Sequence, residues 1–199
     1  MTTALLGSAL LVLVVLAAIP DSGVAAEERV QKIMRLYGEG QLDAAEADFA
    51  DASQSFASNH RIWLAGALLS EHRGNVALAT QRYRSARSLI RSDDAFGIEI
   101  DITLCDLVRR GGDAAGALEQ LDRLIKDAVI LRIPGRWRHA KALALIDLIR
   151  YEEALSETRL LAEEEGGRGI SRGLEAQIQR LSANVQVGGG HQAAASTPR

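Results

Sequence analysis

From Glu27 onward, apolar residues recur three and four positions apart, the spacing that lines one face of an α-helix. Val30, Ile33, Met34 and Tyr37 predict a first helix over 27–37. Gly38 and Gly40 end it, and Leu42–Phe56 predicts its partner. Asn59 stands as N-cap to a third segment that carries Ile62, Trp63, Gly66 and Leu69. Gly74-Asn75 turns the chain into Val76–Ile90. After Ser92-Asp93-Asp94 a further pair is predicted. It runs over Phe96–Val108 and, past Gly111-Gly112, from an Asp113 cap to Val129. Pro134-Gly135 punctuates the chain again. Trp137–Ile149 and Tyr151–Glu165 follow, and then, after Gly166-Gly167, a helix over Arg172–Leu181 with Leu174, Ile178 and Leu181 on one side. From Gly188 the periodicity stops.

These helices repeat. GQLDAAEADFADA from Gly40 and GNVALATQRYRSA from Gly74 place Gly, Ala, an aromatic and Ala at matching offsets. GDAAGALEQLDRL from Gly112 and RYEEALSETRLL from Arg150 continue the pattern less cleanly, with Thr158 in place of the aromatic and Ile149 in place of the Gly. The anchor alanines Ala45, Ala79, Ala117 and Ala154 are spaced by 34, 38 and 37 residues. A period in this range marks stacked helical hairpins. Antiparallel helices 8–10 Å apart need small residues where their axes cross. One hairpin alone buries too little to offset an ordering cost of about 1–2 kcal/mol per residue. Stacked pairs share one core, and the last needs a polar-faced cap, the role that falls to Arg172–Leu181.

Over about residues 27–165 the chain resembles the tetratricopeptide repeat (TPR) family: the small residue after the first helix, the alanines at the crossing, the aromatic between them, and Trp63 early in a first helix. The resemblance implies an all-α fold, a right-handed α-solenoid of about four TPR-like helix pairs plus a C-terminal capping helix over 27–184; the lack of apolar periodicity makes 185–199 an expected disordered tail. Trp63 is expected in the core of the second pair. The resemblance also implies a concave groove lined by the first helix of each pair. Carried over residue by residue, it takes in Val30, Met34, Tyr37, Arg61, Leu64, Leu68, Glu71 and His72, then Glu99, Ile102, Asp106, Arg109 and Arg110, then Arg136, His139, Leu143 and Ile146. Its expected centre is Arg61, Leu64, Leu68, Ile102 and Arg109. Some family members grip a partner's terminal carboxylate with Lys and Asn. Here Leu64 and Ile102 stand where Lys would be, and Leu68 and Asp106 where Asn would be.

Residues 1–26 are set apart from this fold as a signal peptide or membrane anchor. Ala4–Ile19 is an uncharged apolar run, and Val24-Ala25-Ala26 offers the small residues that a signal peptidase reads. The preferred reading is export to the periplasm with a mature chain starting at Glu27. The alternative is an uncut single-pass anchor, possible membrane association then running through residues 4–19.

Composition removes several function classes. A net charge of −3 gives no bulk attraction to nucleic acid. The single Cys105 cannot form an internal disulfide, and the four histidines show no metal-ligand spacing. No Gly-rich loop is followed by Lys-Ser/Thr, and no nucleophile motif surrounds a serine. No cofactor is expected. Charge is uneven: Asp43, Glu46, Asp48 and Asp51 lie on one helix, and Arg82, Arg84, Arg87 and Arg91 lie on its counterpart in the next pair. Complementarity between neighbouring helices is one reading; a basic stripe over Arg84, Arg87 and Arg91 that meets an acidic partner is the other. The function expected is a non-catalytic protein–protein scaffold of the cell envelope. The alternative is a periplasmic, pilotin-like carrier for an assembled subunit.

Overall fold

The protein's structure, a computed structural model, describes residues 22–91, 95–127, 135–164 and 167–193, with backbone alone for 22, 95, 127 and 185–193. The apolar run at 4–19 and the last six residues lie outside the described residues. All described elements are α-helices: α1 (Ser22–Gly38), α2 (Leu42–Ser55), α3 (His60–His72), α4 (Val76–Ser88), α5 (Ala95–Arg110), α6 (Ala114–Asp127), α7 (Gly135–Asp147), α8 (Tyr151–Ala162) and α9 (Gly167–Ala193). They form the all-α, TPR-like helix pairs and capping helix of the α-solenoid class. The chain divides into two compact units, 1–92 and 93–199. In unit one, α1 packs on α2 and α3, α2 on α3, and α3 on α4. In unit two, α5 packs on α6 and α7, α6 on α7, and α7 on α8, while α9 closes over α7 and α8.

Each hairpin turn is built alike. Gly40, Gly74, Gly112 and Ile149 have φ of 73°, 72°, 99° and 63°. Each stands five residues ahead of an anchor alanine. In each, the next residue donates its backbone N–H five positions back: Gln41 to Leu36, Asn75 to Ser70, Asp113 to Val108, Arg150 to Leu145. This is the Schellman arrangement, whose left-handed residue glycine adopts without a Cβ penalty. The residue after it starts the next helix, its carbonyl accepting from the anchor alanine's N–H. Asn75 and Asp113 add side-chain caps, accepting from Leu78 N at 3.0 Å and Gly116 N at 2.8 Å. Asn59 caps α3 as its sequence predicts, at 2.9 Å from Arg61 N.

The anchors are fully enclosed: Ala45, Ala79, Ala117 and Ala154 each show 0% exposure. In unit one, Val30, Ile33, Phe49, Ile62 and Leu69 gather around Ala45. The tightest approach is at Gly66, where a Cβ would stand 2.2 Å from the Phe49 ring. The Arg82 guanidinium covers that ring, 4.2 Å from its centroid. It also donates to Gly66 O at 2.8 Å and Ser70 Oγ at 2.7 Å, and it pairs with Glu46. Trp63 departs from expectation. It is half-buried, donates from Nε1 to Ala57 O at 2.8 Å, and lies edge-on to Phe49 at 5.9 Å. It therefore packs toward α2 rather than inside the second pair. The fully buried Trp is Trp137, in unit two. One position along the repeat separates them: Trp137 takes the slot that Ile62 and Ile100 fill elsewhere.

Helix α1 opens at Ser22, and Ala26 is 1% exposed, so packing begins before Glu27. Helix α9 opens at Gly167, whose missing Cβ leaves room for Leu161 O. Its packed face is Ser171, Leu174 and Ile178. It is helical through Ala193. Elongating a nucleated helix adds one hydrogen bond per residue fixed, which carries it past the last packed side chain.

Two substitutions check this account by thermal or urea denaturation. Ile149 is 63% exposed and loses little packing, so Ile149→Gly is expected to raise stability by about 1 kcal/mol through relief of its left-handed backbone. Gly66→Ala is expected to cost about 1–3 kcal/mol as the Phe49 ring is displaced.

Candidate partner-binding faces

Each unit presents a face made by its first helices, α1 with α3 and α5 with α7. The two are built on one plan. Eighteen residues before the anchor alanines stand Glu27, Arg61, Glu99 and Arg136. Arg61 Nη1 pairs with Glu27, and Arg136 Nη1 lies 2.5 Å from Glu99 Oε2, a charge contact without hydrogen-bond alignment. At the other end of each face, matching positions again meet. Tyr37 crosses His72 edge-on at 5.2 Å, with its OH 3.4 Å from Nδ1. Arg109 reaches Asp147 at 2.7 Å and Asp106 at 2.9 Å. Each face is thus clasped at both ends by contacts between its own two helices.

Between the clasps the chemistries differ. In unit one, Val30 is buried, Met34 and Leu64 are half-buried, and Leu68 is 37% exposed. In unit two, Ile102 is 4% exposed and belongs to the core with Cys105, Leu121, Trp137 and Ala140. Asp106, His139 and Leu143 are half-buried. Of the five residues at the expected groove centre, the structure brings Arg61, Leu64 and Leu68 together on α3. Ile102, 4% exposed, lies in the core cluster of unit two that Trp137 joins from α7. Arg109 is committed to two carboxylates and is only 15% exposed.

The acidic and basic helices of unit one are largely paired with each other and with α1. Asp43 meets Arg73 at 2.6 Å and Glu46 meets Arg82. Asp48 takes Arg29 at 2.7 Å and Lys32 at 2.6 Å, and Arg29 also reaches Asp51. In the proposed basic stripe, Arg87 donates to the carbonyls of Ile90 and Arg91, just past the end of α4.

Cys105 and His139 are among the titratable groups of unit two that are shifted. Burial, reinforced by Asp101, pushes the Cys105 thiol up to about 11, so it stays protonated and unreactive at neutral pH. It borders a cavity of about 290 Å³ with Asp101, Leu104, Gln120, Arg123 and Leu124. Burial holds His139 below its ordinary 6.5, with Asp106 and Arg109 acting in opposite senses. Among the described residues, no group of three His, Cys, Asp or Glu side chains could hold a metal ion, and no helix is long and apolar enough to cross a membrane.

The Glu–Arg clasps have a signal in the sequence that the groove assignment passes over. Glu and Arg alternate at one offset from the anchors in successive repeats, and that regularity pairs Arg61 with Glu27, which lies outside the groove assignment, and Glu99 with Arg136, which it takes as separate lining residues.

No family model matches the chain, and no curated protein matches its sequence. Solved structures match its fold. One is YrrB, described as a TPR protein with an unusual peptide-binding site, at TM-score 0.57 and 15% identity over 84% of this chain and 86% of that one. Another is the Podosopora anserina putative kinesin light chain, described as having nearly identical TPR-like repeats. It has a TM-score of 0.54 and 15% identity over 80% of this chain and 96% of that one. A single-substitution variant of that protein scores 0.55. The fold these likenesses show is TPR-like.

Arg109→Ala is expected to cost about 1–2 kcal/mol, because Asp106 and Asp147 lose the nearly buried partner they share while staying partly open to solvent. Arg61→Ala removes an exposed bridge and is expected to cost less than about 1 kcal/mol. Urea titrations of both variants check the difference. His139, lowered in the folded state, favours folding when neutral. Stability is therefore fully present above pH 6.5 and falls as pH drops from there through the lower folded-state value. In His139→Gln that fall should be smaller, as read from melting temperatures at about pH 7.5 and about pH 5.

Proposed function

We propose that this protein is a non-catalytic scaffold that holds a protein partner at the cell envelope, with the α1/α3 face of unit one as the docking surface. The observation that carries the reading is Leu68, 37% exposed one turn beyond half-buried Leu64 on a face whose ends are clasped. Residues four apart on a helix are about 6 Å from each other, close to the spacing of alternate side chains in an extended peptide. Such a segment could seat two apolar side chains there. The clasps hold α1 and α3 in place before binding, which lowers the ordering cost of association. Arg61, more than half exposed beyond its contact with Glu27, gives that end of the face a donor for a carboxylate. The fold of YrrB, whose description names a peptide-binding site, is in keeping with this use.

Leu68→Glu tests the proposal. The side chain is at the surface, so the variant is expected to keep the wild-type melting temperature and to lose at least tenfold in partner capture, measured by crosslinking pull-down from envelope fractions. A variant that melts normally and captures the same partner equally well removes this face from consideration. Ile102→Glu is unsuitable for the same purpose, because it would place a charge in the core of unit two.

A further inference from the structure

Three residues hold the Phe49 ring in unit one. Trp63 meets it edge-on at 5.9 Å, Gly66 leaves room for it where a Cβ would stand 2.2 Å away, and the Arg82 guanidinium covers it at 4.2 Å from its centroid. They stand sixteen and thirteen residues before the anchor Ala79 and three after it. The same places around Ala117 in unit two are Asp101, Leu104 and Gln120. All three line the cavity of about 290 Å³ bordered by α5 and α6, together with Cys105, Arg123 and Leu124. Among the described residues, none that lines it carries an aromatic ring. The cavity thus takes the place in unit two that a ring fills in unit one. We propose that it is a docking pocket for one tyrosine side chain of a protein partner.

Size and chemistry both fit that occupant. An apolar cavity of about 150 Å³ already admits benzene. Leu104 adds a side chain where unit one has glycine, but Asp101 and Gln120 are smaller than Trp63 and Arg82, and space remains. The floor is apolar: Cys105 belongs to the core cluster of unit two, and Leu124 packs against it. Burial keeps the thiol uncharged at neutral pH. Around this floor stand a carboxylate, an amide and a guanidinium. An apolar pocket with a few polar groups suits an aromatic ring with one polar tip. The Asp101 carboxylate, and Gln120 Oε1, which faces the Cys105 thiol at 4.0 Å, are acceptors for a phenolic O–H. A phenyl ring has no such donor, so these walls favour tyrosine over phenylalanine. Arg123, one turn along α6 from Gln120, pairs with Glu119 and has a side chain 66% exposed. Its guanidinium can lie over a ring in the cavity as that of Arg82 lies over Phe49. The ring in unit one arrives on a neighbouring helix, so a seat on this plan is entered by a side chain borne on a polypeptide.

The test uses the full chain and two probes, N-acetyltyrosinamide and N-acetylphenylalaninamide, followed by amide chemical shifts. The tyrosine probe is expected to saturate, with shifts centred on Leu104, Cys105 and Gln120. It should bind about tenfold more tightly than the phenylalanine probe. Leu104→Phe fills the cavity with the protein's own ring and is expected to abolish these shifts while the melting temperature stays close to that of the wild type. Should that variant fail to fold, Gln120→Phe, made at an exposed position, carries the same expectation. Absence of saturable shifts, equal affinity for the two probes, or binding that survives the substitution overturns the proposal. Saturable binding of p-cresol without binding of N-acetyltyrosinamide does so equally, because the ligand would then be a free phenol. These variants leave the α1/α3 face of unit one unchanged, so this proposal and the Leu68→Glu test fail separately.

Discussion

The left-handed residue five positions ahead of each anchor alanine is the constraint on which the rest of the structure depends. It ends one helix, fixes the direction of the next, and sets which face of that next helix turns inward. Because the turn closes with the same hydrogen bonds at Gly40, Gly74, Gly112 and Ile149, the anchor alanine always arrives at the crossing. Any large residue there would force the helices apart. The fourth turn keeps this geometry with an isoleucine, at a backbone cost that the surrounding hydrogen bonds sustain.

From this register follow the clasps. Positions that match along the repeat are brought across from one another on neighbouring first helices, so a glutamate in an odd repeat meets an arginine in the next even one. Glu27 with Arg61 and Glu99 with Arg136 are one device used twice. At the opposite ends, a tyrosine–histidine contact in unit one and an arginine–aspartate bridge in unit two occupy equivalent places. What lies between sets the two faces apart: aliphatic in unit one, charged and imidazole-bearing in unit two. Apolar surface is therefore offered by unit one, which is why the docking proposal rests on it.

Electrostatics inside unit one are mostly structural. Arg82 sits over Phe49 and satisfies the carbonyl of Gly66, the hydroxyl of Ser70 and the carboxylate of Glu46 at once. An arginine that nearly buried is tolerated because its hydrogen bonds find acceptors. The acidic residues of α2, conspicuous in the sequence, are consumed by Arg29, Lys32, Arg73 and Arg82. Neighbour-to-neighbour complementarity thus accounts for much of the charge asymmetry without an external partner.

The sequence by itself determined the helices, their pairing and the repeat register, because these depend on local periodicity, on glycine at left-handed turns and on alanine at crossings. It also located Leu64 and Leu68 on a first helix. Tertiary structure decided which lining positions are free. Ile102 and Leu64 occupy the same place in their repeats. Ile102 is buried in the core cluster that Trp137 joins from α7, while Leu64 is half-buried. Trp63 and Trp137 differ by one position in register, and that single step separates a half-buried residue facing α2 from the largest fully enclosed side chain of unit two. Ala26 is buried against unit one, and Gly167 admits the close approach of Leu161. Periodicity assigns a residue to a face of its own helix. Only the side chains arriving from other helices decide whether that face meets solvent.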